Sequence, residues 1–347
     1  MLTQRQNAIL EYLQKVEKAP QSAILAFIAT KFDAVSKPTV LRDLDVLLSA
    51  ELVEKKGKGR GVIYLSKNKN PFLFHFDADN YFKLSQDQRE IKKMFNWEVF
   101  DYPKNFFTAS EIKRLESANM EYRRKRAKMD AAGLRKEFER ITIELSWKSS
   151  HLEGNTYSLL ETETLIKEAR EAEGHSKEEA TMILNHKRTL DFILENKGQF
   201  KLLRAPQLRA VHSLLIKNLG IPDDFRSILV RITGTNYQPL DNRFQVEDAI
   251  NKIIEVVNKE ENPPAKALLA IALISYAQPF VDGNKRTSRL IANALLLAHD
   301  WCPMSLRSMD ETTYKKAILL FYEQNSLDLL KQLFIEQFEF AVKNYFG

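Results

Sequence analysis

Between Gln278 and Arg289 the chain reads Gln-Pro-Phe-Val-Asp-Gly-Asn-Lys-Arg-Thr-Ser-Arg, residue types suited to handling a polyphosphate. The apolar segment 267–277 before it reads as a buried helix, Pro279 and Gly283 break that helix, and 285–299 resumes a helical pattern with Leu290, Ile291, Ala294, Leu295 and Ala298 on one side. A tight loop therefore opens onto a helix N-terminus. Free backbone N–H groups at such an end, with the helix dipole behind them, make an anion site. Arg286 and Arg289 are three apart and share a face, so both guanidinium groups can reach the same anion. Asp282 adds a carboxylate, and Mg²⁺ needs as few as one or two of these beside phosphate oxygens and waters.

This run resembles the signature of the Fic family, whose members move AMP, or occasionally phosphate, from a nucleotide onto a protein hydroxyl. The resemblance implies ATP and Mg²⁺, with Gly283, Asn284 and Lys285 in the phosphate loop and Asn284 on the α-phosphate. It puts Arg286 and Arg289 on the β- and γ-phosphates, Asp282 on the metal, and Phe280 in the core as loop anchor. Two positions depart from the pattern. Lys285 stands where many members have Gly, and the Gly-Asn-Lys-Arg form belongs to the death-on-curing branch, some of which phosphorylate. The family's run opens with a His that takes the proton of the incoming hydroxyl, whereas this one opens with Gln278. A carboxamide neither accepts nor releases a proton at neutral pH, and losing a general base costs ~10²–10⁴-fold in rate. His75, His151, His175, His186, His212 and His299 all lie outside the motif and read as structural or surface residues. Gln278 is open to three explanations: a nucleotide-sensing pseudoenzyme, an altered chemistry that needs no base, or an engineered substitution.

Upstream, Ser149-Ser150-His151-Leu152-Glu153-Gly154-Asn155 resembles the family's inhibitory helix motif, which implies that Glu153, one turn from Ser149, pairs with Arg289 and removes a γ-phosphate ligand. Read alone, Glu153 before Gly154 is an ordinary surface residue at a helix end. Between the two motifs, residues 225–239 partly alternate apolar and polar before Thr233-Gly234-Thr235-Asn236, which reads as a strand or hairpin. It resembles the family's flap, which pairs with an extended target peptide by strand addition.

At 347 residues and 44% hydrophobic content the chain has material for one large or two moderate cores. One cysteine, Cys302, excludes an internal disulfide, and no apolar stretch is long enough to span a bilayer; a cytoplasmic protein is expected. The formal charge of +6 is concentrated in residues 1–70, where twelve Lys/Arg face seven Asp/Glu. Three short amphipathic helices are expected there, around 9–16, 24–28 and 40–48, then a basic turn at 55–61 and an apolar strand at 62–65. This arrangement resembles a winged helix-turn-helix. It implies DNA contact by Lys37, Thr39 and Arg42 from the third helix and by Lys55, Lys56, Lys58 and Arg60 from the wing. Asp43 and Asp45 would oppose this if they faced phosphate.

The expected fold is mainly α: an all-helical Fic core with a small β-hairpin flap, plus an N-terminal winged-helix domain. The divisions are 1–68 for the winged helix, 69–133 for a linker and helical extension, and 134–347 for the Fic domain with its inhibitory helix. Helical periodicity runs over 134–150 and again over 159–194. Two functions follow: a protein AMP-transferase impaired at Gln278 and restrained by Glu153, or a nucleotide-responsive DNA-binding regulator. The target protein, the DNA operator and whether the chain forms a homodimer stay open.

Overall fold

A computed structural model of the protein describes residues 2–33, 35–68, 70–103 and 105–347. It is mostly helical, with one three-stranded antiparallel sheet among the described residues. Near the N-terminus α1 (Gln4–Val16) leads through β1 (Lys18–Pro20) to α2 (Gln21–Lys31) and α3 (Lys37–Ser49), and then to β2 (Val53–Lys56) and β3 (Ile63–Ser66). The strand order is β1-β3-β2, with Tyr64 opposite Ala19 on one side and Lys55 on the other. Ile9, Leu13, Ile24, Ile28, Val40, Leu44, Leu47, Val53 and Tyr64 close a core of their own. Burying that apolar set is what lets such short helices persist.

The next stretch has little regular structure apart from the single turn α4 (Ala78–Tyr81), yet Phe72, Phe95, Val99, Phe106 and Phe107 are buried in the main core. His75 joins the two bodies: one ring nitrogen lies 3.0 Å from Asn7 Oδ1 and the other 2.8 Å from Asp328 Oδ2. The helical body follows as α5 (Ala109–Arg126), α6 (Ala131–His151), α7 (Leu159–Glu168), α8 (Lys177–Glu195), α9 (Ala205–Ile216), α10 (Arg243–Lys259), α11 (Pro263–Ala277), α12 (Asn284–Ala298), α13 (Glu311–Gln324) and α14 (Asp328–Asn344). Starts are fixed by polar side chains that satisfy first-turn N–H groups, such as Thr108 on α5, Ser158 on α7 and Ser176 on α8, each in a capping box. α11 is buried from Pro264 to Ala277 and packs along α12 and α10, so the loop between α11 and α12 rises from the most buried part of the molecule. Among the described residues no helix is long and apolar enough to cross a membrane.

Two expectations need correction. The periodic stretch 159–194 is two helices: α7 ends with Ala169 in the left-handed region (φ 54°), and α8 restarts at the Ser176/Glu179 capping box. The segment 225–239 forms no hairpin among the described residues, only a turn at Thr233-Gly234 and one bridge from Gln238 to Met94. Its two ends are tied to different neighbours, Arg226 to the carbonyls of the α11–α12 loop and Gly234 to Gln238 to residues 86–94, so its halves have no ladder to make with each other.

Candidate functional site

The loop between α11 and α12 is built by its own side chains. Gln278 ends α11 in the left-handed region (φ 49°), and Gly283 (φ 79°) caps α12. An added Cβ at Gly283 would meet Ile216 and His212 at 3.4–3.5 Å as well as being strained, so glycine suits both the turn and the close approach. Asn284 spans the gap: its Oδ1 accepts from Phe280 N (2.8 Å), and its Nδ2 donates to Phe280 O and to Gln278 Oε1 (2.9 Å each). The Gln278 amide donates to Ser275 O (2.6 Å) and to Tyr322 Oη (3.3 Å). Phe280 is fully buried and stacks on His212 with ring centroids 3.5 Å apart, as an anchor should. His212 Nε2 lies 2.9 Å from Asp282 O, and burial depresses its pKa to about 4, so it supports the loop as a neutral ring.

A cavity of about 270 Å³ opens above this loop, lined by Gln278, residues 281–286, Glu153 and Val230 to Thr233. α12 presents its N-terminus there, with no side chain capping it. Arg286 is buried; its Nη2 lies 3.2 Å from Asp282 Oδ2, and its Nη1 has no hydrogen-bond partner among the described residues. An unpaired buried guanidinium N–H at a helix N-terminus favours an anion. The Asp282 carboxylate is mostly exposed at the mouth.

Arg289 does not reach this cavity. Its Nε donates to Ser149 Oγ and its Nη2 to Ser149 O (2.9 Å each), while its Nη1 donates to Glu153 Oε1 (2.8 Å) and to Tyr314 Oη (3.2 Å). Lys285 Nζ holds the other oxygen, Glu153 Oε2, at 3.1 Å. Glu153 is therefore not a solvated helix-end residue. Burial alone would raise its pKa, but the charges of Arg289 and Lys285 outweigh burial and hold it at about 2. The expectation that Arg286 and Arg289 face one anion fails for this arrangement, because Glu153 and Ser149 draw Arg289 toward α6. Asn284, expected on a phosphate, is likewise engaged inside the loop.

Sequence reasoning missed Tyr314, Tyr322 and Arg226. The first two lie on the inward face of α13, where the spacing of Tyr314, Ala317, Ile318 and Phe321 marks burial but not which neighbour is met. Arg226 is buried and pairs with no carboxylate among the described residues; it donates to Gln278 O (2.5 Å), Ala277 O (3.3 Å) and Ile228 O (2.6 Å), and burial lowers its pKa to about 10. Of the flap residues, Thr233 lines the cavity while Gly234 and Asn236 face residues 86–89. Thr235 Oγ1 accepts from Tyr237 N within its own turn.

Among the described residues, none of those expected to contact DNA lines this cavity; Lys37, Arg42, Lys55, Lys56 and Lys58 are exposed and Thr39 is half-buried. Lys56 pairs with Glu54. Asp43 turns inward onto Arg5 and Gln6, while Asp45 is exposed. The Arg60 side chain and Lys69 lie outside the described residues.

Residues 202–296 match the Fic/DOC family. A protein adenylyltransferase Fic of Culex quinquefasciatus is 26% identical over 224 residues, 60% of this chain and 43% of that protein. One of Aedes aegypti is 25% identical over 181 residues, 50% of this chain and 35% of that protein. The chain thus spans less than half the length of these curated relatives. Among solved structures, Fic-1 from C. elegans covers 69% of this chain and 72% of its own at 18% identity with a TM-score of 0.59. A Fic family protein from Desulfovibrio desulfuricans covers 70% and 75% at 20% identity with a TM-score of 0.55. The matched residues take in α9 to α12 with the Gln278–Arg289 loop, but not Glu153 or α13; over residues 202–296 the chain carries a Fic/DOC family domain.

Proposed function

We propose that this chain binds ATP above the α11–α12 loop with the machinery of a protein AMP-transferase, in a state restrained by Glu153 and deprived of the motif base at Gln278. One observation carries the reading: the Glu153 carboxylate sits on Arg289 at 2.8 Å, where a phosphate oxygen of a fully engaged ATP would sit. In AMP transfer a Ser, Thr or Tyr oxygen of the target attacks the α-phosphorus, the bond to the bridging β-oxygen breaks, and pyrophosphate leaves. The hydroxyl proton must go to a base. The Gln278 amide, engaged with Ser275 O and Asn284, cannot receive it. What remains is binding: the α12 N-terminus and Arg286 receive phosphate, and Asp282, exposed at the mouth, would be the protein's ligand to Mg²⁺. The metal, when bound, neutralises phosphate charge. An acceptor peptide would lie along residues 227–233.

Calorimetry with ATP and Mg²⁺ tests the site. Binding is expected, and Arg286→Ala should weaken it by ~1.5–3 kcal/mol, the usual worth of a hydrogen bond to a charged group. An unchanged affinity would remove the phosphate assignment. A second reading, a nucleotide-responsive DNA-binding regulator built on an N-terminal winged helix, is favoured by the inward turn of Asp43, which leaves Lys37 and Arg42 exposed on α3 with Lys55 and Lys58 on the wing. The two readings share the ATP site and differ in whether transfer or DNA contact is its output.

A further inference from the structure

The segment that roofs the cavity is held from outside the matched domain. Arg89 Nη2 donates to Gly234 O at 2.5 Å. The same guanidinium is fixed by Glu323, through Nε to Oε2 at 2.9 Å and Nη2 to Oε1 at 2.8 Å. The Arg89 side chain is 5% exposed and that of Glu323 is not exposed at all. Tyr81 Oη adds a third bond to the carboxylate at 2.7 Å, and Lys92 N bonds Glu323 O at 2.9 Å. Nearby, Asn236 Nδ2 donates to Asp87 Oδ1 (2.9 Å), Asn236 Oδ1 accepts from Gln86 Nε2 (2.6 Å), and Gln238 N donates to Lys93 O (2.6 Å). Val230 to Thr233, which line the cavity, end where Arg89 takes hold.

A guanidinium bound twice by one carboxylate has its plane fixed, so its remaining N–H groups have set directions. Nη1 donates to Leu84 O (3.2 Å), and the second N–H of Nη2 points at a backbone carbonyl at the turn of the roofing segment. Gly234 sits at φ 86°, a conformation an L side chain adopts only under strain, and this lets the carbonyl face Arg89. The buried pair therefore sets where residues 230–234 stand over the loop, although residue 89 lies more than 110 positions before the matched domain begins.

We propose that Arg89, fixed by Glu323, is a positioning residue for the acceptor: it sets the roofing segment, and with it the place at which a bound peptide presents its hydroxyl to the α-phosphorus. The proposal rests on the AMP-transfer reading above. Arg89 touches no reacting atom, so nucleotide binding should be indifferent to it.

The test uses the full chain carrying Gln278→His and Glu153→Gly, compared with the same chain also carrying Arg89→Met and Glu323→Gln. Replacing both charges together leaves no buried ion unpaired, and Arg89→Lys serves as the milder variant if that form fails to fold. The expected result is a fall on the order of 10²-fold in kcat/KM for the acceptor, the scale of a misplacement of about 1 Å, with the KM for ATP unchanged. Equal losses toward acceptor and ATP, or none toward either, would overturn the proposal. Amide exchange in the chain with Gln278 gives a reading independent of transfer. Residues 231–238 should exchange faster in the Arg89→Met/Glu323→Gln form while 284–298 do not change, and an unchanged 231–238 also overturns it. If the Gln278→His/Glu153→Gly parent transfers nothing, the AMP-transfer reading falls and takes the acceptor role with it, while exchange still decides whether the pair holds the segment.

Discussion

Replacing Glu153 with glycine should raise ATP affinity while lowering the stability of the unliganded protein, two opposite effects with one cause. In the structure the carboxylate takes the Arg289 Nη1 bond at 2.8 Å and the Lys285 bond at 3.1 Å. A phosphate that engages Arg289 must first displace it. The Arg289 bond, between two charged groups, is worth ~1.5–3 kcal/mol net, so the variant should bind ATP on the order of 10- to 100-fold more tightly. The cost falls on the empty protein. Arg289 is 1% exposed and would lose the one carboxylate bonded to it among the described residues, keeping Ser149 and Tyr314. Breaking a buried pair in this way costs ~3–5 kcal/mol, and saturating ATP should recover part of that as a larger rise in melting temperature than the parent shows. The pH dependence follows from the depressed pKa. Because Glu153 titrates at about 2 instead of 4.5, its pairing stabilises the fold at every pH above about 4.5 and is lost only as pH falls toward 2. The affinity difference between the two proteins should therefore be flat across neutral pH. Calorimetry with ATP and Mg²⁺, beside melting curves with and without ligand, measures all of this. Equal ATP affinities together with equal unliganded melting temperatures would refute the reasoning.

Gln278→His should raise AMP transfer from radiolabelled ATP to self or lysate proteins by ~10²–10⁴-fold, and further with Glu153→Gly; no transfer by the double variant, with ATP still bound, would favour the regulator reading. His75 responds to pH in the opposite sense from Glu153. Burial would lower its pKa, but Asp328, with Glu11 and Asp77, outweighs burial and raises it, so the stability it contributes is complete below about 6.5 and lost as pH rises through the folded value. Protection of α1 amides should fall across that rise, and His75→Gln should abolish the dependence. DNA binding, if the exposed lysines carry it, should weaken with salt, and Lys55→Ala with Lys58→Ala should reduce the log–log slope by about 2; a slope that does not change would exclude the wing.

The helices near the motif were legible because their signals are local. The apolar run of α11, the break at Pro279 and Gly283, and the restart of α12 each follow from residues within a few positions. The partner of Arg289 was legible for another reason, a second motif 136 residues upstream whose residue types fitted the first. The roofing segment was misread because alternation only says that a stretch can be extended; whether it pairs depends on who holds its ends. Those holders, Arg89 with Glu323 and the carbonyls around Arg226, are separated from it in sequence or carry no pattern that marks them. The break inside 159–194 was missed because helical periodicity persists through a short interruption, whereas the Ser176/Glu179 capping box marks a restart that could have been read.

Under the AMP-transfer reading, Gln278 is more than a missing base. Its amide donates to Ser275 O and accepts from Asn284 Nδ2, and Asn284 in turn holds both backbone groups of Phe280, so residues 275–284 are closed by side-chain bonds across the break between two helices. A neutral imidazole at 278 has one donor and one acceptor, enough to reproduce one bond of each kind. Its acceptor nitrogen, however, is the atom a general base must keep free, and in this loop Asn284 would occupy it. A histidine here could serve as base only after Asn284 had turned away, and the resemblance gives Asn284 somewhere to go, the α-phosphate. Nucleotide arrival and release of the base would then be one event. On that reading, with glutamine at 278 the same event would free an amide that can do nothing with a proton, and ATP would engage the loop without committing it to transfer.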